Sequence, residues 1–183
     1  MAGHNKWKQI KHQKAKTDAH KSKVFSKFAK LITTEAKLAN GNLNSPSLKA
    51  VVERAKAENM PNDNIERAIK RATEQKTAME AIVYEAYGPG GVAMLIEALT
   101  DNRNKAAQEV KHILSENGFS LSAPGSAVWA FKKSTNPSTS SGQATLQPTT
   151  TVPLSDEDAE KLSKLVEELE NNEEVQEVFT NAE

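Results

Sequence analysis

The 183-residue chain contains no cysteine, which excludes disulfides, thiolate metal sites and cysteine nucleophiles together. No apolar run approaches the roughly 20 residues that a transmembrane helix needs, so no membrane partner is expected. The first residues lack the apolar segment of a secretory signal. Arginine is absent before Arg54 and serine is scarce there, which argues against a mitochondrial presequence and predicts a cytoplasmic protein. Aromatic residues make up 5% of the chain, so any core must be small and aliphatic. Catalytic patterns are missing too. His4, His12 and His20 recur every eight residues, a spacing that drifts around a helix and builds no metal face. There is no HExxH-type pair, and the glycine-rich Gly88–Gly91 is not followed by the Lys-Ser/Thr of a phosphate-binding P-loop. Asp156, Glu157 and Asp158 are consecutive and suit the first turn of a helix rather than a catalytic carboxylate pair. No nucleophile–base constellation stands out, so the expectation is a non-enzyme with no cofactor, no metal and no small-molecule substrate. Nothing in the sequence assigns an oligomeric state.

What the chain does have is segregated charge. Lysine plus arginine and aspartate plus glutamate number 24 each, yet the neutral total conceals a strong asymmetry. Residues 1–37 carry ten lysines against Asp18 and Glu35, a net charge of +8. Residues 154–183 carry two lysines against eleven acids, a net charge of −9, and the middle is nearly neutral.

Three stretches at helical spacing come first. Val24, Phe25, Phe28, Leu31, Ile32 and Leu38 share a face, with Asn40-Gly41 as the stop. Ser45 as cap and Pro46 at the first helical position restart the pattern, with Leu48, Val51, Val52 and Ala55 inward. After Pro61, Asn62 or Asp63 caps a third helix with Ile65, Ala68, Ile69 and Ala72 inward. The period then changes to two. "AIVYEAY" and "VAMLIEAL" flank Gly88-Pro89-Gly90-Gly91 and predict two strands joined by a turn. "NRNKAAQEVKHILSENG" is a helix, "GSAVWAFKK" a strand, and "TTVPL" a candidate strand. "SDEDAEKLSKLVEELENN" is a helix capped by Ser155, and "VQEVFTN" a closing strand. The predicted fold is α+β: a three-helix domain, then a ferredoxin-like α/β sandwich with an added N-terminal strand. The predicted organisation is a basic arm over 1–21, a helical domain over 22–78, and an α/β domain over 79–133 plus 148–183. The Ser/Thr/Pro-rich residues 134–147 are predicted to be a flexible linker that packs on nothing.

The strings "MAGHNKWKQIKHQKAK", "NMPNDNIERAIKRA", "YEAYGPGGVAMLIEALTDNRN" and "VQEVFTN" resemble the YebC family over residues 1–132 and about 148–183. That family holds bacterial proteins labelled probable transcriptional regulators and a mitochondrial translational activator of cytochrome c oxidase subunit I. The resemblance implies a helical N-terminal domain followed by α/β domains, a cytoplasmic or mitochondrial location, and no established catalytic activity. It also implies a further α/β domain between the strand at 126–132 and the segment at 149–153. Here only the Ser/Thr/Pro-rich stretch stands in that place.

The basic N-terminus is the strongest physical signal. Lys6, Lys8, Lys11, Lys14, Lys16, Lys21, Lys23, Lys27 and Lys30 recur every two to five residues, dense enough to meet consecutive phosphates. Trp7 and His12 suit stacking on exposed bases. The competing readings are a solvated tail, or one that neutralises the acidic C-terminus. Arg67, Lys70 and Arg71 extend the basic surface on the third helix, although exposed helix faces are commonly charged. Gly88, Pro89, Gly90 and Gly91 form a candidate partner loop. Asp101 or Asn102, with Arg103 and Asn104, forms a candidate phosphate loop at a helix N-terminus, and a plain helix cap explains it equally well. The expected partner is therefore nucleic acid. RNA or the ribosome is favoured, because no helix-turn-helix signature or zinc finger appears. The alternatives are a DNA-binding transcriptional regulator and a protein-interaction adaptor using the acidic C-terminal helix.

Overall fold

A computed structural model describes residues 18–74, 79–135 and 144–183. Helices α1 (Asp18–Leu38), α2 (Pro46–Ala57) and α3 (Asn62–Glu74) come first. They share one core, built on Ile32, Ala36, Leu48, Val51, Ala55, Met60, Ile65, Ala68 and Ala72. Each of the first two helices ends in the same way. Asn40 and Asn59 adopt the left-handed conformation at φ 50° and 63°. The following Gly41 and Met60 then return their N–H groups to the Ala36 and Ala55 carbonyls at 3.0 Å, the Schellman arrangement that satisfies orphan carbonyls. The starts differ from expectation. Ser45 occupies the cap position, but its side chain makes no capping bond and lies 3.1 Å from the Ser47 hydroxyl. Asn62 and Asp63 both fall inside α3, where the Pro61 carbonyl accepts from Asn64 and Ile65. Thr33, buried in α1, sets its hydroxyl between the Ala29 and Ala68 carbonyls and so ties α1 to α3.

The rest of the chain is organised around one strand. β1 (Glu80–Tyr87) and β2 (Ala93–Thr100) form an antiparallel hairpin in register from Glu80 opposite Thr100 to Tyr87 opposite Ala93. After α4 (Arg103–Glu116) comes a two-stranded ribbon of β3 (Phe131–Thr135) and β4 (Ala144–Pro148), then α5 (Asp156–Asn171) and β5 (Val175–Thr180). The main sheet has the order β1-β2-β5, and β5 runs antiparallel to β2 with a register shift between Glu97 and Ala98. Helices α4 and α5 cover one face, where Met94 and Ile96 of β2 meet Val110, Leu114, Leu162, Leu165 and Leu169. The ribbon and the turn Val128–Ala130 cover the other, where Ala93 and Leu95 meet Ala127, Ala130 and Phe131.

The α+β class and the three-helix start hold. In the α/β part the first and last strands of the predicted β-α-β halves do pair, as β2 and β5. The middle strands stand apart from a ferredoxin-like order. β1 reaches the free side of β2 through a very short turn and occupies the edge that a third sandwich strand would need. β3 and β4 therefore pair with each other. Three local expectations change with this. "GSAVWAFKK" becomes a strand only from Phe131, because the residues before it form a loop and a 3-10 turn. "TTVPL" contributes a single bridge, Val152 with Ala182. Within 134–147, Ser134, Thr135 and Ala144 to Gln147 are paired in the ribbon, and Leu146 packs under the sheet. Serine and threonine have little to bury, but their backbone pairs as well as any other. Residues 136–143 lie outside the described set.

Because β5 and α5 complete both the sheet and the larger core, a chain ending at Pro153 should lose cooperative unfolding of residues 80–132 while α1–α3 stay helical. Amide NMR dispersion and urea melts would show this. Leu165→Ala in the full chain should cost about 2–5 kcal/mol.

Candidate nucleic-acid interface

Phe25, Ala29 and Ala68 are drawn toward the helical core by their apolar character, and they leave a shallow cleft between α1 and α3. It encloses about 240 Å³ and is lined by Ser22, Phe25, Ser26 and Ala29 of α1, Met60, and Asn64, Arg67, Ala68 and Arg71 of α3. Arg67 and Arg71 are one helical turn apart and both exposed. The cleft thus has a partly apolar floor and a rim bearing two guanidinium groups, which present planar forks suited to phosphate. Lys70 is exposed as well and lies 3.8 Å from Glu74, a surface pairing of little energetic weight.

The lysines of α1 divide. Lys21 is exposed and Lys23 half-buried. Lys27 and Lys30 point elsewhere: Nζ of Lys27 lies 3.4 Å from the Gln176 carbonyl, and Nζ of Lys30 donates to the Glu173 carbonyl at 2.9 Å. Lys30 also lies 3.3 Å from Oε2 of Glu174. These two members of the predicted phosphate row hold α1 against the start of β5. Lys6, Trp7, Lys8, Lys11, His12, Lys14 and Lys16 lie outside the described residues.

Glu174 is the centre of that contact and is buried. Oε1 accepts from Lys105 of α4 at 3.0 Å. Burial alone would raise its pKa. The Thr100 hydroxyl beside it and the ammonium groups of Lys105 and Lys30 outweigh burial and hold the carboxyl below its ordinary range. The sequence hid this residue. In "NNEEVQEV" no periodicity separates Glu174 from exposed Glu173, and the junction appears only when three elements meet.

The two candidate loops sit at opposite ends of β2, about 25 Å apart for an eight-residue strand, so they do not form one surface. Gly88 and Pro89 are buried. A Cβ on Gly88 would stand 2.8 Å from Sδ of Met94, and one on Gly90 would stand 2.5 Å from Leu154. Gly90 and Gly91 also have φ of 67° and 77°, where side chains are strained. Packing and turn geometry account for this loop. At the other end Asn102 is the cap, accepting from the Lys105 N–H at 3.1 Å. Asp101 and Asn104 are exposed. Arg103 pairs with Glu80 at 3.1 Å. Among the described residues no group of three or more His, Asp or Glu side chains could hold a metal, and no helix is long and apolar enough to cross a membrane.

Known proteins fit this architecture. The model of the TACO1/YebC protein N-terminal domain matches residues 5–75, and that of the TACO1/YebC second and third domain matches 79–136 and 132–182. The chain belongs to the TACO1/YebC family. A "probable transcriptional regulatory protein" of Fervidobacterium nodosum is 38% identical over 235 aligned positions, covering 99% of this chain and 93% of the relative. One of Caldanaerobacter subterraneus is 38% identical over 239 positions, covering 100% and 98%. Those alignments exceed the chain's 183 residues, and the two stretches of the second-and-third-domain match meet in β3. The crystal structure of a conserved hypothetical protein from Aquifex aeolicus superposes with a TM-score of 0.83 at 31% identity, covering 95% of each chain.

Holding a TACO1/YebC helical start on its α/β body through Glu174 has a pH signature. A carboxylate whose folded pKa is depressed contributes stability above its unfolded value near 4.3, and loses it as pH falls through the folded value. Glu174→Gln should cost about 1–3 kcal/mol at pH 7, and the deficit should shrink below pH 4. Urea midpoints of both proteins at pH 7 and pH 3.5 would check it.

Proposed function

We propose that this chain is a non-enzymatic, nucleic-acid-binding regulator of gene expression that works in the cytoplasm as an RNA- and ribosome-associated translation factor. The observation that carries the proposal is the pair Arg67 and Arg71. They are exposed one turn apart beside an open cleft, and neither has an acidic partner among the described residues. In sequence, residues 1–23 add seven lysines ahead of and within the start of α1. Phosphate contacts of this kind position a protein on nucleic acid without reading sequence. Trp7 and His12 add a preference for unpaired bases over a closed duplex.

The second reading is a DNA-binding transcriptional regulator, favoured by the names of the bacterial relatives. In that case the same cations meet duplex phosphates.

Salt dependence and target preference separate the two. If about six cations meet phosphates, the logarithmic salt slope is about −4 for single strands and −5 for duplex DNA, so affinity falls two to three decades from 50 to 200 mM salt. Combined Arg67→Glu, Lys70→Glu and Arg71→Glu should weaken binding to every sequence alike and flatten the slope. Lys8, Lys11, Lys14 and Lys16 changed to Glu should do the same. Trp7→Ala should cost about 1–3 kcal/mol on single-stranded RNA and little on duplex DNA. Co-sedimentation with ribosomes at low salt, resistant to DNase, is the expected outcome. Tight sequence-selective duplex binding that survives high salt, without ribosome association, would overturn the translational reading.

A further inference from the structure

Trp129 is 61% exposed, and among the described large apolar side chains only Leu38 is more so. An indole left in water is usually mobile, but this one is fixed. Its Nε1 donates to the Ser126 carbonyl at 2.7 Å and lies 3.2 Å from the Tyr87 hydroxyl. That hydroxyl in turn donates to the same Ser126 carbonyl. The loop beneath is clamped by Glu85, a buried carboxylate on β1 that accepts from the N–H groups of Gly125 and Ala127 at 2.6 Å and of Val128 at 2.9 Å. Burial would raise the pKa of Glu85; the three N–H bonds outweigh it and hold the carboxyl below its ordinary range. The fold therefore uses a buried charge to immobilise a turn whose outward product is a bare aromatic surface, with half-exposed Val128 beside it.

The surroundings select the occupant. From Asn117 to Leu154 the chain has no acidic residue, although it has 24 in all, and its only charged side chains there are Lys132 and Lys133. Both are exposed. Lys132 lies three residues from Trp129, within about 10 Å along the backbone, and its flexible stem extends that reach. The indole N–H is already used, so the ring has no hydrogen-bonding group left with which to choose among bases. Rigid ring, nearby lysine and a chain segment without acids, whose one underlying carboxylate (Glu85) is buried and bonded to three N–H groups, together suit a polyanion with an unpaired base.

We propose that Trp129 and Lys132 form a second nucleic-acid contact, a sequence-tolerant stacking platform for an unpaired base of single-stranded RNA. It rests on the nucleic-acid reading above but on none of the residues used there. The ring provides stacking, which is worth most where bases are already out of a helix, and Lys132 meets the phosphate beside the stacked base.

The chain has two tryptophans, so Trp7→Phe leaves Trp129 as the sole indole reporter. Titrating the full-length Trp7→Phe protein with a single-stranded oligoadenylate should quench its fluorescence, while duplex RNA of the same length binds with little quenching. Trp129→Ala in the same background should weaken oligoadenylate binding about 5- to 150-fold and duplex binding less than twofold. The duplex result also reports that the variant is folded. Trp129→Tyr should recover most of the affinity. Combined Arg67→Glu and Arg71→Glu should weaken both ligands. Oligoadenylate binding that is saturable, unquenched and unaffected by Trp129→Ala would overturn the platform and leave the nucleic-acid reading standing. Binding to neither RNA would overturn both. Quenching by a ribosomal protein fraction, with none by RNA, would give the surface to a protein partner and overturn the platform too.

Discussion

The second half of this molecule depends on β2 being buried on both faces. Every residue from Ala93 to Thr100 is buried except Glu97, and the strand carries β1 on one edge and β5 on the other. Such a strand cannot show the alternation of a half-exposed sheet, and "VAMLIEAL" accordingly reads as an almost continuous apolar run. Its two faces then dictate what the rest of the chain must supply. One face needs the amphipathic stripes of α4 and α5. The other needs a cover that no helix provides, and the ribbon β3–β4 with the Val128–Ala130 turn fills that role. Glu97 marks where the cover stops. It lies opposite Glu177, and burial first, then that neighbour, pushes its pKa up while Lys133 moderates the rise.

The same logic explains why the first three helices sit where they do. Among the described residues their core is a cluster separate from those of the sheet. The attachment is polar: Lys27 and Lys30 to the carbonyls of Gln176 and Glu173, and Lys30 with Lys105 about Glu174. Buried carboxylates with several cationic partners fix geometry more than they add net stability. Here the geometry fixed is the orientation of α1, and through the Thr33 bridge that of α3 and its two arginines. Two lysines of a basic run thereby become structural.

Helix limits were legible because local chemistry sets them. Asn40-Gly41, Pro46, Asn102 as one of two possible caps, and Ser155 each act within a few residues of their own position. The Ser155 hydroxyl accepts from the Asp158 N–H at 3.1 Å as its sequence context implies. Strand partnership was legible where a tight turn joins the strands, as at Gly88–Gly91, and for β2 with β5, which the predicted β-α-β halves bring together. The β3–β4 pairing was not, since serine, threonine and glutamine carry no period-two signal and the pairing is made by backbone groups alone. Of the candidate interface, the exposed arginines of α3 could be placed from helical phase. The structural use of Lys27 and Lys30 could not, because their partners lie more than 140 residues away in sequence.

Glu85 shows why a functional surface can be invisible in such a sequence. "AIVYEAY" and "GSAVWAFKK" are both predicted as strands, and neither pattern singles out Glu85 or Trp129. In the structure the glutamate is buried and the tryptophan stands in water. The two placements have one cause. A carboxylate facing the covered side of the sheet must find donors there, and the N–H groups of Gly125, Ala127 and Val128 are free only if that segment does not extend as a strand. Bending it into a turn satisfies Glu85 and moves Trp129 out of the core. Tyr87, two residues along on the same face of β1, then captures the indole edge. Replacing Glu85 by an apolar residue would leave three N–H groups without acceptors, so the exposed indole and the buried carboxylate stand or fall together.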